Sequence, residues 1–247
     1  MMFFKKNNKK QLKIENLREH SIINYRNYIS DLLVSMPEEE AMMYAIGAVD
    51  KEAFVSFGDV QVQVLKYYGL QNGMTIYDLG CGSGRTSQAL SRANWTGNYQ
   101  GHDVDERLIN YLNIHSGGLK SKTHTELSLL ADSESVDLVF HWSVFTHLFL
   151  EEIYIYLEEI YRVLKPGGIH IFSFLNLENS DHFNSNFLYR VNAFKVQKNL
   201  PHLDTFLNQN EIEFLLGKVG FKDVHFESGN DLKNHPAFYQ DIVCMRK

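Results

Sequence analysis

The stretch from Thr75 to Leu90 constrains the fold more than any other segment, because an apolar run leads directly into closely spaced glycines and then a helix-forming run. It predicts a strand over 75–77, a tight turn, and a first core helix from Arg85 to Ala93. Such a turn needs positive φ values, which glycine adopts without steric cost, and the helix start behind it presents unpaired N–H groups. We therefore expect a ligand to lie across the turn, with Asp78 facing the same crevice from the end of the strand.

The spacing of the glycines separates two kinds of nucleotide site. The dinucleotide fingerprint is G-x-G-x-x-G, whereas this chain has Gly80-x-Gly82-x-Gly84 and carries Arg85 where the third fingerprint glycine would stand. The seven residues from Asp78 to Gly84 match D/E-x-G-x-G-x-G in full. They resemble the first motif of the class I S-adenosylmethionine (SAM) dependent methyltransferases. The resemblance implies SAM as cofactor and S-adenosylhomocysteine as product.

A second carboxylate lies 19 residues beyond the last glycine of the turn, at Asp103. That separation accommodates one helix and one strand, 97–103, and places the carboxylate beside the glycine turn, where it can accept hydrogen bonds from both ribose hydroxyls. The resemblance implies the same role, because residues 101–105 look like the second motif of the family. Asp105 either shares this role or caps the following helix.

The continuous apolar run Val136 to His141 predicts a central strand that is buried on both faces. Ligands of open parallel sheets bind beyond the carboxyl ends of the strands, so residues 142–148 are expected to face the transferring methyl group. This part also resembles the family, but it lacks the N/D-P-P-Y/F sequence of amino methyltransferases that act on adenine or glutamine. Nucleobase methylation is therefore disfavoured.

Between the strands predicted over 97–103 and 136–141, the sequence pattern that indicates secondary structure is weak. Lys122 to Glu126 predicts a third strand, and the short polar connection from Leu127 to Ser135 predicts a turn in place of a crossover helix. In the family an acidic residue and apolar neighbours near the end of this strand hold adenine. Glu126 and Leu127 are the nearest candidates here.

The carboxyl-terminal half continues the family pattern. Residues 162–168, R-V-L-K-P-G-G, match a family element that we interpret as a structural corner between a helix and the next strand. The segment 176–208 is polar and aromatic, and we interpret it as an acceptor lid, with a plain surface loop as the alternative. The remaining predicted elements are helix Glu151 to Leu164, strand Ile169 to Phe174, a helix capped by Asn208 and ending near Gly220, and strands Phe221 to Glu227 and Phe238 to Met245.

The amino-terminal part predicts a disordered basic tail over 1–11 and a helical extension over 12–54. The extension contains a helix from Leu12 to Val34 and a second helix to Ile46, with a capping box at Ser35–Glu38. Val60 to Val64 alternates like a strand but also fits one helical face, and we choose the helix. With a methyltransferase domain over 55–247, the fold class is α/β: a Rossmann-like, doubly wound, seven-stranded sheet with an antiparallel last strand.

Composition restricts the partners. The net charge of −6 gives no general attraction to nucleic acid or anionic membranes. Cys81 and Cys244 are too few and too far apart for a disulfide framework, and no apolar run reaches the length of a membrane span or a signal-peptide core. We expect a cytoplasmic protein of unspecified oligomeric state that acts on a small molecule.

Methyl transfer needs little covalent help from a protein, because the sulfonium carbon is already electrophilic. An oxygen acceptor, such as a sugar or secondary metabolite, would need a base, and His147 and His141 are the candidates near the end of the fourth strand. Arg85 either meets the methionine carboxylate or is a solvated first-turn residue. We predict no metal site. The expected cofactor-binding residues are Asp78, Gly80, Cys81, Gly82, Gly84, Asp103, Val104, Glu126, His141 and Trp142.

Two other functions remain open from the sequence. A catalytically silent SAM-binding module would act on a partner through its amino-terminal helices and would show a blocked acceptor cavity. A nicotinamide-dependent oxidoreductase would bind NAD, but the missing third fingerprint glycine opposes it.

Overall fold

A computed structural model of the chain describes residues 14–198, 200, 202–229 and 239–247. The predicted basic tail over 1–11 and the predicted start of the last strand at Phe238 lie outside the described residues. The helices are α1 Ile14–Ser35, α2 Glu38–Tyr44, α3 Lys51–Tyr67, α4 Arg85–Arg92, α5 Glu106–His115, α6 Leu150–Val163, α7 Leu188–Lys195 and α8 Gln209–Val219. The strands are β1 Thr75–Leu79, β2 Asn98–Asp103, β3 Lys122–Thr123, β4 Val136–His141, β5 Leu164–Asn176, β6 Phe206–Leu207, β7 Lys222–Glu227 and β8 Asp241–Arg246.

The sheet confirms the predicted architecture. Its strands follow the order β3-β2-β1-β4-β5-β8-β7, and β8 runs antiparallel to both of its neighbours. An eighth, two-residue strand was not predicted: β6 pairs in parallel with the end of β5, Phe206 beside Leu175 and Leu207 beside Asn176. The chain leaves β1 toward β2 and β3 on one side, and β4 and β5 continue on the other. The carboxyl ends of β1 and β4 therefore form the switch point where ligands bind in such sheets.

Helices cover both faces of the sheet, as the apolar residues of each strand require. On one face α3 and α4 bury Leu65 and Leu90 against Ile76 and Phe140. On the other face α6 and α8 bury residues that include Leu157 against Val139 and Phe172. The helix prediction for Val60 to Val64 is confirmed, since these residues lie within α3.

The helical extension lies across one end of the sheet. Arg26 of α1 donates a hydrogen bond of 2.6 Å to the carbonyl of Val104, directly after β2. Arg18 of α1 donates to the carbonyl of Thr125, after β3, at 2.7 Å, and forms a 2.8 Å ion pair with Glu152 of α6. Thus α1 covers the carboxyl ends of β2 and β3. The predicted domain boundary between residues 54 and 55 falls inside α3.

Some local predictions were wrong at element ends. The capping box at Ser35–Glu38 does not form, because Ser35 is the last residue of α1 and its hydroxyl donates back to the carbonyl of Leu32. The second helix begins after Pro37 without a side-chain cap and ends at Tyr44 rather than Ile46. The third strand is two residues long instead of five.

The segment 176–208 is folded rather than an open loop. It contains a π-helical turn over His182–Phe187, then α7, and ends in β6. The predicted cap at Asn208 is confirmed, since its side chain accepts from the backbone N–H of Glu211 at 2.9 Å while the Glu211 carboxylate accepts from the N–H of Asn208. Within the described ranges, no helix combines the length and apolar character needed to cross a membrane.

Candidate active site

The glycine turn joins β1 to α4 as the sequence predicts. Gly80, Gly82 and Gly84 have φ values of +66°, +54° and +89°, in the left-handed region that favours glycine. The backbone N–H groups of Gly80 and Cys81 both donate to the carbonyl of His102, at 2.9 and 3.1 Å. The turn is therefore held against the end of the neighbouring strand β2.

Space around the turn is too small for side chains. A Cβ atom on Gly80 would lie 2.5 Å from Cγ2 of Val144, in the segment that follows β4. One on Gly82 would lie 2.6 Å from Cγ2 of Ile46, which follows α2. The turn thus requires glycine both for its backbone angles and for the close approach of two neighbouring segments.

Asp103 is bonded directly to this turn. Its Oδ2 accepts from the backbone N–H of Gly82 at 3.0 Å, and its Oδ1 accepts from the N–H of Asp105 at 3.2 Å. Burial raises the pKa of Asp103 to about 6, against the lowering effect of these hydrogen bonds. An ionised carboxylate has about four acceptor positions, so about two remain for a ligand. Asp105 itself caps α5 by accepting from the N–H of Arg107, which resolves its role in favour of capping.

Asp78 is the second buried carboxylate of the crevice. The phenol of Tyr99 donates a hydrogen bond of 2.8 Å to its Oδ2. The pKa of Asp78 is raised to about 7, mainly by burial and also by the negative charge of Asp103, while the Tyr99 hydrogen bond and Arg85 act in the opposite direction. Two carboxylates in one dry crevice make an environment that favours a cationic or hydroxyl-rich ligand.

Arg85 is not the solvated first-turn residue that the sequence suggested. It begins α4 next to the glycine turn, its guanidinium lies 5.7 Å from the ring centre of Phe57, and burial lowers the pKa of its side chain to about 10. Its Nε and the hydroxyl of Ser83 are enclosed without a hydrogen-bond partner. Two unsatisfied polar atoms at a helix start are unusual in a protein interior and are typical of a site that receives a ligand.

The other predicted cofactor residues lie around the same crevice with different exposures. Cys81 is buried, and burial raises the pKa of its thiol. The carbonyl of Val104 is already bonded to Arg26, and Glu126 is exposed, with its carbonyl accepting from Tyr156. The α1 helix thus occupies backbone acceptors at the end where adenine was expected.

His141 lies in the protein core. Its side chain is 0% exposed, its Nε2 lies 3.1 Å from Nε2 of His170, and its ring stacks on Phe172 at 5.1 Å between centres. Burial holds the pKa of His141 well below its ordinary value. This packed position disfavours His141 as a base. Trp142 points to the other face, 5.9 Å from Phe140.

His147 is placed differently, on a short 3-10 turn, Phe145–His147, after β4. Its side chain is 41% exposed, and its Nδ1 lies 2.7 Å from the carbonyl of Leu203. With the proton on Nδ1, the free lone pair of this imidazole is on Nε2. Of the two histidines, His147 is the exposed one.

Known proteins resemble the central part of this chain. A family profile described as "Methyltransferase domain" matches residues 77–172. A ubiquinone biosynthesis O-methyltransferase of Hydrogenovibrio crunogenus is 24% identical over 166 residues, 65% of this chain and 67% of the relative. Squalene methyltransferase 2 of Botryococcus braunii is 28% identical over 171 residues, 65% of this chain and 43% of the relative, so the match spans less than half of that protein.

A solved structure extends the likeness to the fold. A SAM-dependent methyltransferase from Archaeoglobus fulgidus superposes with a TM-score of 0.59 at 15% identity, covering 78% of this chain and 94% of that one. The match to a methyltransferase domain over residues 77–172 and the shared fold support a class I SAM-dependent methyltransferase. SAM is therefore its cofactor.

The segment after β4 contains a polar ring that the sequence did not reveal. Ser143, directly after β4, has a φ of +56°, which is uncommon for a residue with a side chain. Its N–H donates to the Ser173 hydroxyl at 2.9 Å, that hydroxyl donates to Gln240 Oε1 at 2.6 Å, and Gln240 Nε2 donates back to the Ser143 hydroxyl at 2.9 Å. Strained backbone of this kind concentrates at functional sites. The three residues come from distant parts of the chain, and none belongs to a recognisable motif.

Proposed function

We propose that this methyltransferase transfers the methyl group of SAM to an oxygen of a small molecule, such as a sugar or a secondary metabolite. The observation that supports it best is the 3.0 Å hydrogen bond between Gly82 N–H and the Asp103 carboxylate. This bond sets the carboxylate against the glycine turn, at the switch point of the sheet, with acceptor positions to spare.

The residues of the crevice fit SAM. Asp103 would accept from the ribose hydroxyls, and the positive φ values of Gly80 and Gly82 would turn the backbone of the turn toward the ligand. Asp78 would hold the amino group of the methionine moiety, directly or through water. The partnerless Ser83 hydroxyl and Arg85 Nε add polar atoms for the same ligand. Cys81, Val104, Glu126, and the backbone of His141 and Trp142 would line the rest.

When bound, SAM supplies a methyl group on a positively charged sulfur that needs no activation by the protein. The work of this chain is then to hold the acceptor oxygen in line and to exclude water. His147 would take the proton from the acceptor hydroxyl at Nε2, while the Leu203 carbonyl holds its Nδ1 proton and so fixes the ring. Ser143 and Gln240 would contribute polar contacts at the end of β4.

The net charge of −6 and the aromatic residues of segment 176–208 favour a small uncharged acceptor over a polyanion. The relatives differ in acceptor: one is described as a ubiquinone O-methyltransferase and the other as a squalene methyltransferase. Oxygen is preferred here because an exposed imidazole at His147 could remove the proton of an acceptor hydroxyl.

A second function is favoured by one observation. The helical extension packs Ile46 against the glycine turn. It also places Tyr25 of α1 near Asp103: the pKa of the Tyr25 phenol is raised mainly by burial and next by the charge of Asp103. A domain whose crevice is held closed in this way could bind SAM without turnover and act through its helices on a partner.

The two functions are separated by incubating the full chain with SAM carrying a tritiated methyl group and a panel of hydroxyl compounds, namely sugars, phenols, catechols and sterols. The proposal expects label in at least one oxygen-methylated product, together with stoichiometric S-adenosylhomocysteine. Label in a carbon-methylated product would overturn the oxygen assignment. SAM binding without label transfer to any panel member would favour the silent module.

A further inference from the structure

The structure brings together three side chains that no motif connects: His147 on the 3-10 turn after β4, and His202 and Asp204 near the end of segment 176–208. One ligand atom from each lies within 4.8 Å of the others. His202 Nε2 is 3.7 Å from Asp204 Oδ1, and the two imidazole centres are 4.5 Å apart. The cluster therefore offers two nitrogen ligands and one carboxylate around a single point.

The backbone around the cluster is fixed by hydrogen bonds between the two segments. The N–H of Thr205 donates to the carbonyl of Thr146 at 2.7 Å, and its hydroxyl donates to the carbonyl of Leu148 at 2.6 Å. These bonds lie on both sides of the His147 contact with Leu203. The three side chains are thus presented by two segments that are already joined, so a ligand would not have to order them.

The outer contacts also match those of metal ligands. A ligating histidine commonly donates its second ring N–H to a backbone carbonyl. His147 Nδ1 lies 2.7 Å from the Leu203 carbonyl and 3.8 Å from Asp204 Oδ1, so with the Nδ1 proton held by the carbonyl, Nε2 is the nitrogen that would turn to an ion. The second oxygen of Asp204 forms a 3.1 Å ion pair with Arg190, which orients the carboxylate with Oδ1 toward the histidines. Ligands around a tetrahedral zinc ion lie about 3.3–3.5 Å apart, so the observed 3.7 Å needs only a shift of a few tenths of an ångström.

We propose that His147, His202 and Asp204 bind one divalent transition-metal ion, with Zn²⁺ as the best-fitting probe. Two imidazoles and a carboxylate suit zinc and its neighbours, whereas Mg²⁺ and Ca²⁺ prefer oxygen ligands. Three protein ligands leave a fourth position open, on the acceptor side of the fold. The ion would also link segment 176–208 to the end of β4. This inference replaces the sequence-based expectation of no metal site. An ion on Nε2 of His147 would occupy the lone pair that the proposed base needs, so the base role of His147 applies to the metal-free chain. The inference does not rest on the proposed function, because metal binding is measured without SAM or acceptor.

The test is calorimetric titration of the chelator-treated full chain with ZnCl₂. The proposal expects one saturable site per chain, a melting temperature several degrees higher with excess Zn²⁺, and no saturable binding of MgCl₂. His202→Ala and Asp204→Asn should each weaken Zn²⁺ binding at least tenfold. His225→Ala is the matched control, because His225 is an exposed histidine on β7 outside the cluster, and it should leave binding unchanged.

Two results would overturn the proposal. One is a wild-type chain with no saturable Zn²⁺ binding, which would leave the cluster as a hydrogen-bonded contact between segments. The other is Zn²⁺ binding that both His202→Ala and Asp204→Asn retain. Folding of each variant is checked by its melting temperature without metal. SAM titrations of the same samples report separately on the cofactor site, so a failed metal site and a failed methyltransferase assignment give different results.

Discussion

The cofactor end and the acceptor end of this crevice are built in different ways. At the cofactor end, the interacting groups lie within residues 78–105, and backbone N–H groups of Gly82 and Asp105 hold the Asp103 carboxylate. At the proposed acceptor end, hydrogen bonds join residue 143 to 173, 173 to 240, 147 to 203, and both 146 and 148 to 205, so each contact closes a loop of about 30 residues or more. The geometry of the cofactor end follows from the conformation of a short stretch of backbone, whereas the geometry of the acceptor end depends on how distant parts of the chain pack together.

The largest effect is expected at the cofactor end, from Gly82→Val. The new Cβ would be placed 2.6 Å from Ile46 Cγ2 at a φ of +54°, so both the turn and the packing of Ile46 must change. We expect SAM binding to fall below detection in calorimetry and the free energy of unfolding to drop by about 2 kcal/mol or more.

Gly217→Ala is the matched control for this substitution. Gly217 lies within α8, lacks a positive φ, and has open space where a Cβ would stand, with no atom within 4 Å of that position. Alanine there should raise stability by up to about 1 kcal/mol and leave SAM affinity unchanged. Normal SAM binding by Gly82→Val would show that the turn is not where the cofactor lies.

At the acceptor end, His147→Ala should lower kcat about 100-fold or more and leave the Kd for SAM unchanged, because a general base acts only on the acceptor. Single-turnover rates with an acceptor found in the panel, together with SAM titration, measure the two quantities. An equal loss of turnover and SAM affinity would instead make His147 a structural residue.

His141→Ala sharpens the comparison between the two histidines. Its imidazole is buried against Phe145 and Phe172, so truncation leaves a cavity and should lower the free energy of unfolding by about 2–4 kcal/mol in chemical denaturation. Turnover of the folded fraction should change much less than in His147→Ala. A large loss of turnover at unchanged stability would contradict the core position of this side chain.

The elements that the sequence predicted well are those with local causes. Positive φ values demand glycine in the β1–α4 turn, and the fixed lengths of one helix and one strand bring Asp103 beside it. The prediction of a capping box at Ser35 was wrong because the preceding helix, α1, continues through this residue. Residue propensity alone does not show whether a serine ends one helix or caps the next.

The acceptor end could not be predicted in the same way. His202 and Asp204 lie more than 50 residues from His147, and nothing in the sequence spacing predicts that the three side chains come together. His141 and His147 looked equivalent in sequence. His141 is still within β4, whose two faces are both covered by helices, whereas His147 lies beyond the strand on a turn.

The smallest expected effect is a pH dependence that separates the two carboxylates from the acceptor residues. The pKa values of Asp78 and Asp103 are raised from 3.8 to about 7 and about 6, so both groups carry full charge only above these values. SAM affinity should therefore fall as pH is lowered from 8 to 5.5, by about tenfold, since the cationic cofactor loses its carboxylate partners.

Stability of the free protein should change in the opposite direction. A carboxyl whose pKa is raised by burial contributes stability that is complete below its unfolded pKa and is lost as pH rises through the folded pKa. The SAM-free chain should thus become less stable as pH rises from about 4 to about 7 and change little above that, and Asp78→Asn should flatten both profiles near pH 7. Denaturant unfolding and SAM titration across this range provide the measurement.

The central claim is that the carboxylate of Asp103, bonded to the glycine turn, holds the ribose of SAM. It is tested most directly by calorimetric titration of SAM into the wild-type chain, Asp103→Asn and Asp103→Ala. The account predicts one site per wild-type chain, a weaker site in Asp103→Asn, which keeps an acceptor for Gly82 N–H, and at least tenfold weaker binding in Asp103→Ala. A wild-type chain that binds no SAM, or an Asp103→Ala variant that binds it as tightly as the wild type, would contradict it.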